Sequence, residues 1–347
     1  MRFGLIGAGG IGSVRAAALA ETPGCSLSAV FDVDAAAARA LAGDAAVFDS
    51  AADLAASDAC DAVIVSSPPN FHAEQTIACL RGGKHVLVEK PMASSLEECA
   101  AMVAAAREAD RVLTVGFNHR YFAGIRAVRE AIRSAEIGQL SYVRAYAGHT
   151  GLSEFRSKWM YDKDVMGGGT LMDNGIHVLD LTQHLMGGVA SVTGIAKTDI
   201  WKLDRSECNG FALLRGPTGV VGSLHSSWTE WKGYRFYVEA YGDRGMARAY
   251  YAPMQSTVIT MDKPGGRPRT RRNFYVGAIF REKFRGWQST VIQTFVDEFT
   301  EFVALTRGEA GDGVIATGVD GYRAIEIANA VYASSESGGT VDLVESV

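Results

Sequence analysis

Apolar positions organise the chain in two ways. Up to about residue 120, short unbroken apolar runs alternate with longer segments of helical spacing. The runs RFGLIG, SLSAVFD, AVIVSS, HVLVEK and VLTVGF read as strands. Between them, DAAAARALAG and HAEQTIACLRGG read as helices that end on glycine. Strands without polar alternation are buried on both faces, which predicts a parallel sheet covered by helices. Beyond residue 120 the period changes. LSYVRAYAGH, ECNGFALLRG, GVVGSLHSSW, YRFYVEAYG and MARAYY alternate, as strands of a mostly antiparallel open sheet do. Helices are predicted near 171–186, 287–307 and 315–336. The expected organisation is therefore an α/β domain over 1–120 followed by an α+β domain over 121–347.

Composition narrows the class. The chain has 347 residues, 48% of them apolar, and a net charge of −5, which points to a globular protein with no nucleic-acid or anionic-membrane partner. No apolar run reaches the roughly 20 residues that span a bilayer. The N-terminus runs straight into a strand without a leader pattern, so a cytoplasmic location is expected. The cysteines Cys25, Cys60, Cys79, Cys99 and Cys208 form no C-x-x-C pair and read as small core residues.

The first strand runs into GLIGAGGIGS. Gly7, Gly9 and Gly12 form a G-x-G-x-x-G that opens a helix, with Gly10 and Ile11 inside it. In this context the glycines serve a tight turn, approach to a pyrophosphate and close helix–strand packing. Asp32 ends the next strand at the spacing of a ribose-binding acid. A carboxylate there repels a 2'-phosphate, and no Arg or Lys follows before Arg39. NAD is therefore favoured over NADP. The loop VSSPPNFHAE holds Ser67, Pro68, Asn70 and His72. It reads equally as a loop beneath the cofactor or as an ordinary turn with a helix cap.

The strand HVLVEK delivers Glu89 and Lys90 to the carboxyl edge of the sheet, where ligands of such sheets bind. Pro91 fixes the backbone there, with a cis bond as one option. An ammonium so placed suits stabilisation of a developing alkoxide. A surface lysine paired with Glu89 is the simpler alternative. Farther on, Asp173, His177, Asp180 and His184 recur at spacings of four, three and four, on one stripe of the 171–186 helix. An imidazole near neutrality suits proton abstraction from an alcohol. For Asp180 and His184 a solvated face is the simpler expectation. Gly175, inside the helix, suggests a close approach by backbone or ligand. No metal site is expected.

GAGGIG, SSPPNFHAE, GGKHVLVEKPMA and VGFNHRY together resemble the Gfo/Idh/MocA family of NAD(P)-dependent sugar and cyclitol oxidoreductases. GGGTLMDNGIHVLDLTQHLMG, and the closing GVDGYRAIEIANAVYASSESGGTVDL, extend that resemblance over nearly the whole chain. It implies an N-terminal Rossmann dinucleotide-binding domain, and a C-terminal domain that binds substrate and forms a homodimer or homotetramer through its sheet. It implies Lys90, Asp173 and His177 as the catalytic set. For the cofactor it implies the glycine turn, Asp32, the Ser67–His72 loop and Glu89. For a sugar or polyol substrate it implies Asn118, Arg120, Arg156, Trp159 and Asn174, with packing between the domains an equal reading of Arg156 and Trp159. His119 departs from the family's usual residue. His149 and His225 are expected in or near the sheet without a catalytic role, with a reach into the cleft as the alternative for either.

The expected function is oxidation of a secondary hydroxyl of a sugar, glycoside or cyclitol. The alternatives weighed are a sugar-nucleotide or sugar-phosphate dehydrogenase, an NADP(H)-linked sugar reductase and a non-catalytic dinucleotide-binding sensor. The basic stretch 263–273 reads as a solvated hairpin or a subunit contact.

Overall fold

The computed structural model describes residues 1–151 and 158–343. The chain divides into two compact units. The first is Met1–Asn118 rejoined by Arg281–Tyr322, and the second is His119–Phe280 together with the chain from Arg323. The return of 281–322 to the first unit differs from the sequence expectation, and its packing explains why. Strand Ala316–Thr317 pairs antiparallel with the last strand of the first sheet. The helix Gln288–Thr306 brings Phe299 and Phe302 onto Phe3, at ring centroids 5.6 and 5.8 Å away.

In the first unit, β1 (Arg2–Ile6), β2 (Ser26–Phe31), β3 (Ala46–Val47), β4 (Ala62–Val65), β5 (His85–Val88) and β6 (Leu113–Val115) line up in the order 6-5-4-1-2-3. All pair in parallel. The apolar runs are buried as their lack of alternation requires: β4 has no exposed residue, and Leu5, Ile64 and Leu87 are fully covered. Helices α1 (Gly10–Glu21), α2 (Ala35–Ala42), α3 (Ala51–Ala56), α4 (His72–Arg81) and α5 (Leu96–Ala109) provide the crossovers. Capping sets their starts. Asp34 accepts from Ala36 and Ala37 on α2, and Ser95 and Glu98 form a reciprocal capping box on α5. This strand order is the Rossmann arrangement, whose direction reverses between β1 and β4.

The second unit is a nine-stranded sheet. It holds β7 (Leu140–Gly148), β8 (Ser191–Lys197), β9 (Asn209–Arg215), β10 (Val221–Ser227), β11 (Arg235–Gly242), β12 (Gly245–Tyr251), β13 (Gln255–Thr260) and β14 (Arg269–Phe274), with Val341–Asp342 at one edge. Only the β7–β10 pair is parallel, so the sheet is mostly antiparallel as expected. On β7, Val143, Ala145 and Ala147 face the core, while Tyr142 and Arg144 are exposed. Helices α6 (Ala123–Arg133) and α8 (Gly175–Met186), the latter preceded by the short α7 (Lys163–Met166), cover the inner face. The basic stretch forms the turn and second strand of the β13–β14 hairpin, as the solvated-hairpin reading expected, and β14 is the exposed edge of the sheet.

Candidate active site

The glycine turn is shaped for close backbone approach. Gly7 has φ +96°, and a Cβ there would lie 2.7 Å from the backbone of Ser66. At Gly12 a Cβ would lie 2.0 Å from the Gly7 carbonyl, so only glycine lets α1 pack against β1. Gly9 and Gly10 instead point into open space, and Gly9 caps α1 without a side-chain acceptor. Ile11 is exposed beside them. The result is a bare helix N-terminus beside a cradle, the arrangement that takes a pyrophosphate. Asp32 holds this turn from β2: Oδ2 accepts the Ala8 N–H at 2.6 Å and Oδ1 the Asp34 N–H at 2.8 Å. A carboxylate has lone pairs enough to accept ribose hydroxyls as well.

The loop after β4 is internally bonded. Ser67 Oγ donates to Gln75 at 2.6 Å, and Pro68 leads into a short 3₁₀ turn, Pro69–Phe71. The amide oxygen of Asn70 is buried with no donor among the described residues, an acceptor available to a ligand. His72 is buried where α4 begins, with its ring nitrogens 2.7 Å from the Ser67 carbonyl and 3.0 Å from that of Pro91. Burial holds its pKa below the ordinary value against the pull of these carbonyls. His72 thereby ties this loop to the turn that carries Lys90.

That turn is anchored beneath by charge. Arg15 of α1, fully buried, donates to Glu89 Oε1 at 2.6 Å and to Glu298, and lies over the Phe295 ring. Glu89 Oε2 accepts the Lys90 N–H at 3.1 Å. Glu89 is thus committed to Arg15 and to the backbone, which fixes where Lys90 starts. Lys90 is half-buried, and the Lys90–Pro91 peptide is cis. Asn118 donates to Thr294 at 2.9 Å.

In the second unit a glycine-rich turn precedes α8. Buried Glu207 accepts the N–H groups of Gly169 at 2.8 Å and Leu171 at 2.7 Å and the Tyr332 hydroxyl at 3.1 Å. Burial raises its pKa against these donors. Asp173 therefore sits in the turn, one residue before the Asn174 cap, and not inside the helix as its spacing suggested. The Gly175 expectation holds: a Cβ would lie 2.6 Å from Ser226 Oγ and 2.7 Å from the Thr170 carbonyl. Asn174 accepts from Thr170 at 2.8 Å, and its amide nitrogen is buried without an acceptor among the described residues.

Asp173 gathers residues that the sequence left unassigned. The Gly151 N–H donates to His149 Nδ1 at 3.0 Å, which assigns the proton to Nε2, and Nε2 donates to Asp173 Oδ2 at 3.0 Å. Trp228 Nε1 donates to the same oxygen at 3.0 Å. Tyr234, its phenol pKa raised by burial and by the charges of Tyr251 and Asp173, belongs to the same environment. No sequence signal linked these residues, because the ends of β7 and β10 and the start of β11 deliver them. His177 is buried on the first turn of α8. Asp180, one turn on, is fully buried instead of solvated, in a bidentate pair with Arg120 at 2.8 and 2.5 Å. The Arg120 fork is thus turned toward α8. Trp159 lies exposed in a short 3₁₀ turn, and Arg156 lies outside the described residues.

A Rossmann sheet with a bare glycine turn, and a lysine-bearing strand end braced beside it, define an NAD-binding oxidoreductase. The chain belongs to the Gfo/Idh/MocA family: residues 1–117 match its oxidoreductase domain with NAD-binding Rossmann fold, and residues 125–248 match its C-terminal domain. It is 27% identical to the myo-inositol 2-dehydrogenase of Thermotoga maritima, over 99% of both chains. It is 29% identical to the inositol 2-dehydrogenase of Rubrobacter xylanophilus, over 96% of this chain and 91% of that one. Among solved structures, the WlbA dehydrogenase of Bordetella pertussis in complex with NADH and UDP-GlcNAcA matches with a TM-score of 0.81. That similarity covers 100% of this chain and 98% of that one at 25% identity.

Proposed function

We propose that the protein oxidises one secondary hydroxyl of a cyclitol or sugar, with myo-inositol as the first compound to try. The observation that carries this reading is the company of His177: a buried imidazole one turn from an aspartate that two neutral donors hold in place. Bound NAD supplies the hydride acceptor. His177 takes the hydroxyl proton as general base. Asp173, fixed by His149 and Trp228, presents its carboxylate to the substrate and supports the charge His177 acquires. Lys90 binds the reacting oxygen and stabilises its alkoxide character. Asn174 offers its amide N–H to a further ring hydroxyl. The relatives named for inositol oxidation support this substrate class.

The test is NADH formation at alkaline pH with inositols, aldoses, sugar acids and glycosides, each with NAD and NADP. His177→Ala and Lys90→Ala are expected to lower kcat by about 10²–10⁴-fold while NAD binding by calorimetry stays near wild type. Wild-type turnover in either variant removes that residue from the proton path. A second reading, a nucleotide-linked sugar as substrate, is favoured by the UDP-sugar acid bound to the Bordetella pertussis enzyme. Turnover of UDP-sugars but of no free polyol would select it. The working form is a cytoplasmic homo-oligomer, assembled through the exposed face of the nine-stranded sheet.

A further inference from the structure

His119 and His177 are stacked, with ring centroids 3.8 Å apart and planes 20° from parallel. His119 also stacks on Phe122 at 4.6 Å, and Phe122 on Tyr251 at 5.4 Å. The edge of Phe236 closes on both His119, at 5.1 Å, and Phe122, at 6.1 Å. Four rings in series, Tyr251, Phe122, His119 and His177, therefore run from β12 to the start of α8. The bidentate Arg120–Asp180 pair fastens this series to α8. Arg120 is the neighbour of His119, and Asp180 lies one helical turn from His177.

We infer that His119 is a positioning residue: it is the platform that sets the plane of the His177 ring. This inference rests on His177 being the general base. An imidazole has one rotatable bond to its ring, and a base delivers its lone pair only within a narrow range of that angle. A flat partner at 3.8 Å restricts the rotation while leaving the ring edge, where the nitrogens are, open to chemistry. The stack needs a planar ring at position 119. It needs neither the basicity of a histidine nor a hydrogen bond from it.

The experiment uses the full chain labelled with ¹³C-histidine, which gives seven ring signals, and His177→Ala assigns one of them. In wild type the His177 Hε1 resonance lies upfield, within the ring current of its neighbour. His119→Ala moves it downfield, and His119→Phe keeps it upfield. With NAD and myo-inositol, or whichever panel polyol turns over, His119→Ala lowers kcat by about tenfold or more, as small misplacements of a reacting group do. KM for NAD stays unchanged, and His119→Phe restores kcat to within about threefold, well inside that loss. An unmoved Hε1 signal in His119→Ala overturns the inference, as does a folded His119→Phe no faster than the alanine variant. If His119→Ala fails to fold, His119→Phe alone decides by its signal and its rate. Should His177→Asn keep full turnover, the general-base reading fails while the resonance still reports the stack. The two failures are therefore distinguishable.

Discussion

At the scale of single residues, the first unit was legible wherever a position tolerates one chemistry only. Gly7 and Gly12 cannot carry a Cβ, so the sequence must write glycine there. Asp32 shows the limit of that legibility. Its spacing marks the ribose acid, but spacing does not show that one oxygen already holds the glycine turn at Ala8 and the other the Asp34 N–H before α2. Asp32→Ala is therefore expected to act twice: to weaken NAD binding and relax discrimination against NADP, and to loosen the turn itself. Calorimetric titration with both cofactors measures the first effect, and amide exchange at Ala8 the second. Unchanged preference would take Asp32 off the ribose. Around Asp173, by contrast, spacing misled. His149 and Trp228 lie 24 and 55 positions away in sequence, and periodicity carries no record of such contacts.

Elements were legible in proportion to their burial. β1, β4 and β5 announce themselves as apolar runs, whereas β14 has no buried residue and looks like a charged loop. β8 alternates in burial but turns Gly194 inward and Ile195 outward, and β13 buries Ser256 and Thr257, so neither shows an apolar alternation in sequence. The polar stripe of α8 was visible, but the fate of each residue on it was not. Asp180 went to Arg120 and His177 to His119, because the 3₁₀ turn Asn118–Tyr121 returns against the helix. Breaking a buried ion pair by neutralising one partner typically costs about 3–5 kcal/mol. Asp180→Asn is accordingly expected to lower stability by an amount of that order in urea unfolding. The His177 signal should move as it does in His119→Ala. A variant as stable as wild type would show that the pair does not hold this turn.

At the scale of the whole molecule, the outer face of the nine-stranded sheet stands out. Register places Ile195, Phe211, His225, Tyr146 and Tyr237 in one transverse row. Tyr142 and Tyr241 stack at 4.4 Å beside them, and Leu213 is 55% exposed. This is the face proposed above as the subunit contact, and exposed apolar patches are where such contacts form. Leu213→Asp is expected to shift the protein to a smaller species in light scattering at micromolar concentration. Identical masses for variant and wild type would place the contact elsewhere.

The return of 281–322 to the first unit has a consequence for how the protein comes off the ribosome. Phe3 and Arg15 are made at the outset, yet Phe295, Glu298, Phe299 and Phe302, which cover them, emerge only when most of the chain exists. At a synthesis rate of about 5–20 residues per second that interval is roughly 15–60 s. The NAD-binding unit therefore spends most of translation as an unfinished core. A nascent chain arrested before residue 281 should be the form that chaperones hold and proteases cut.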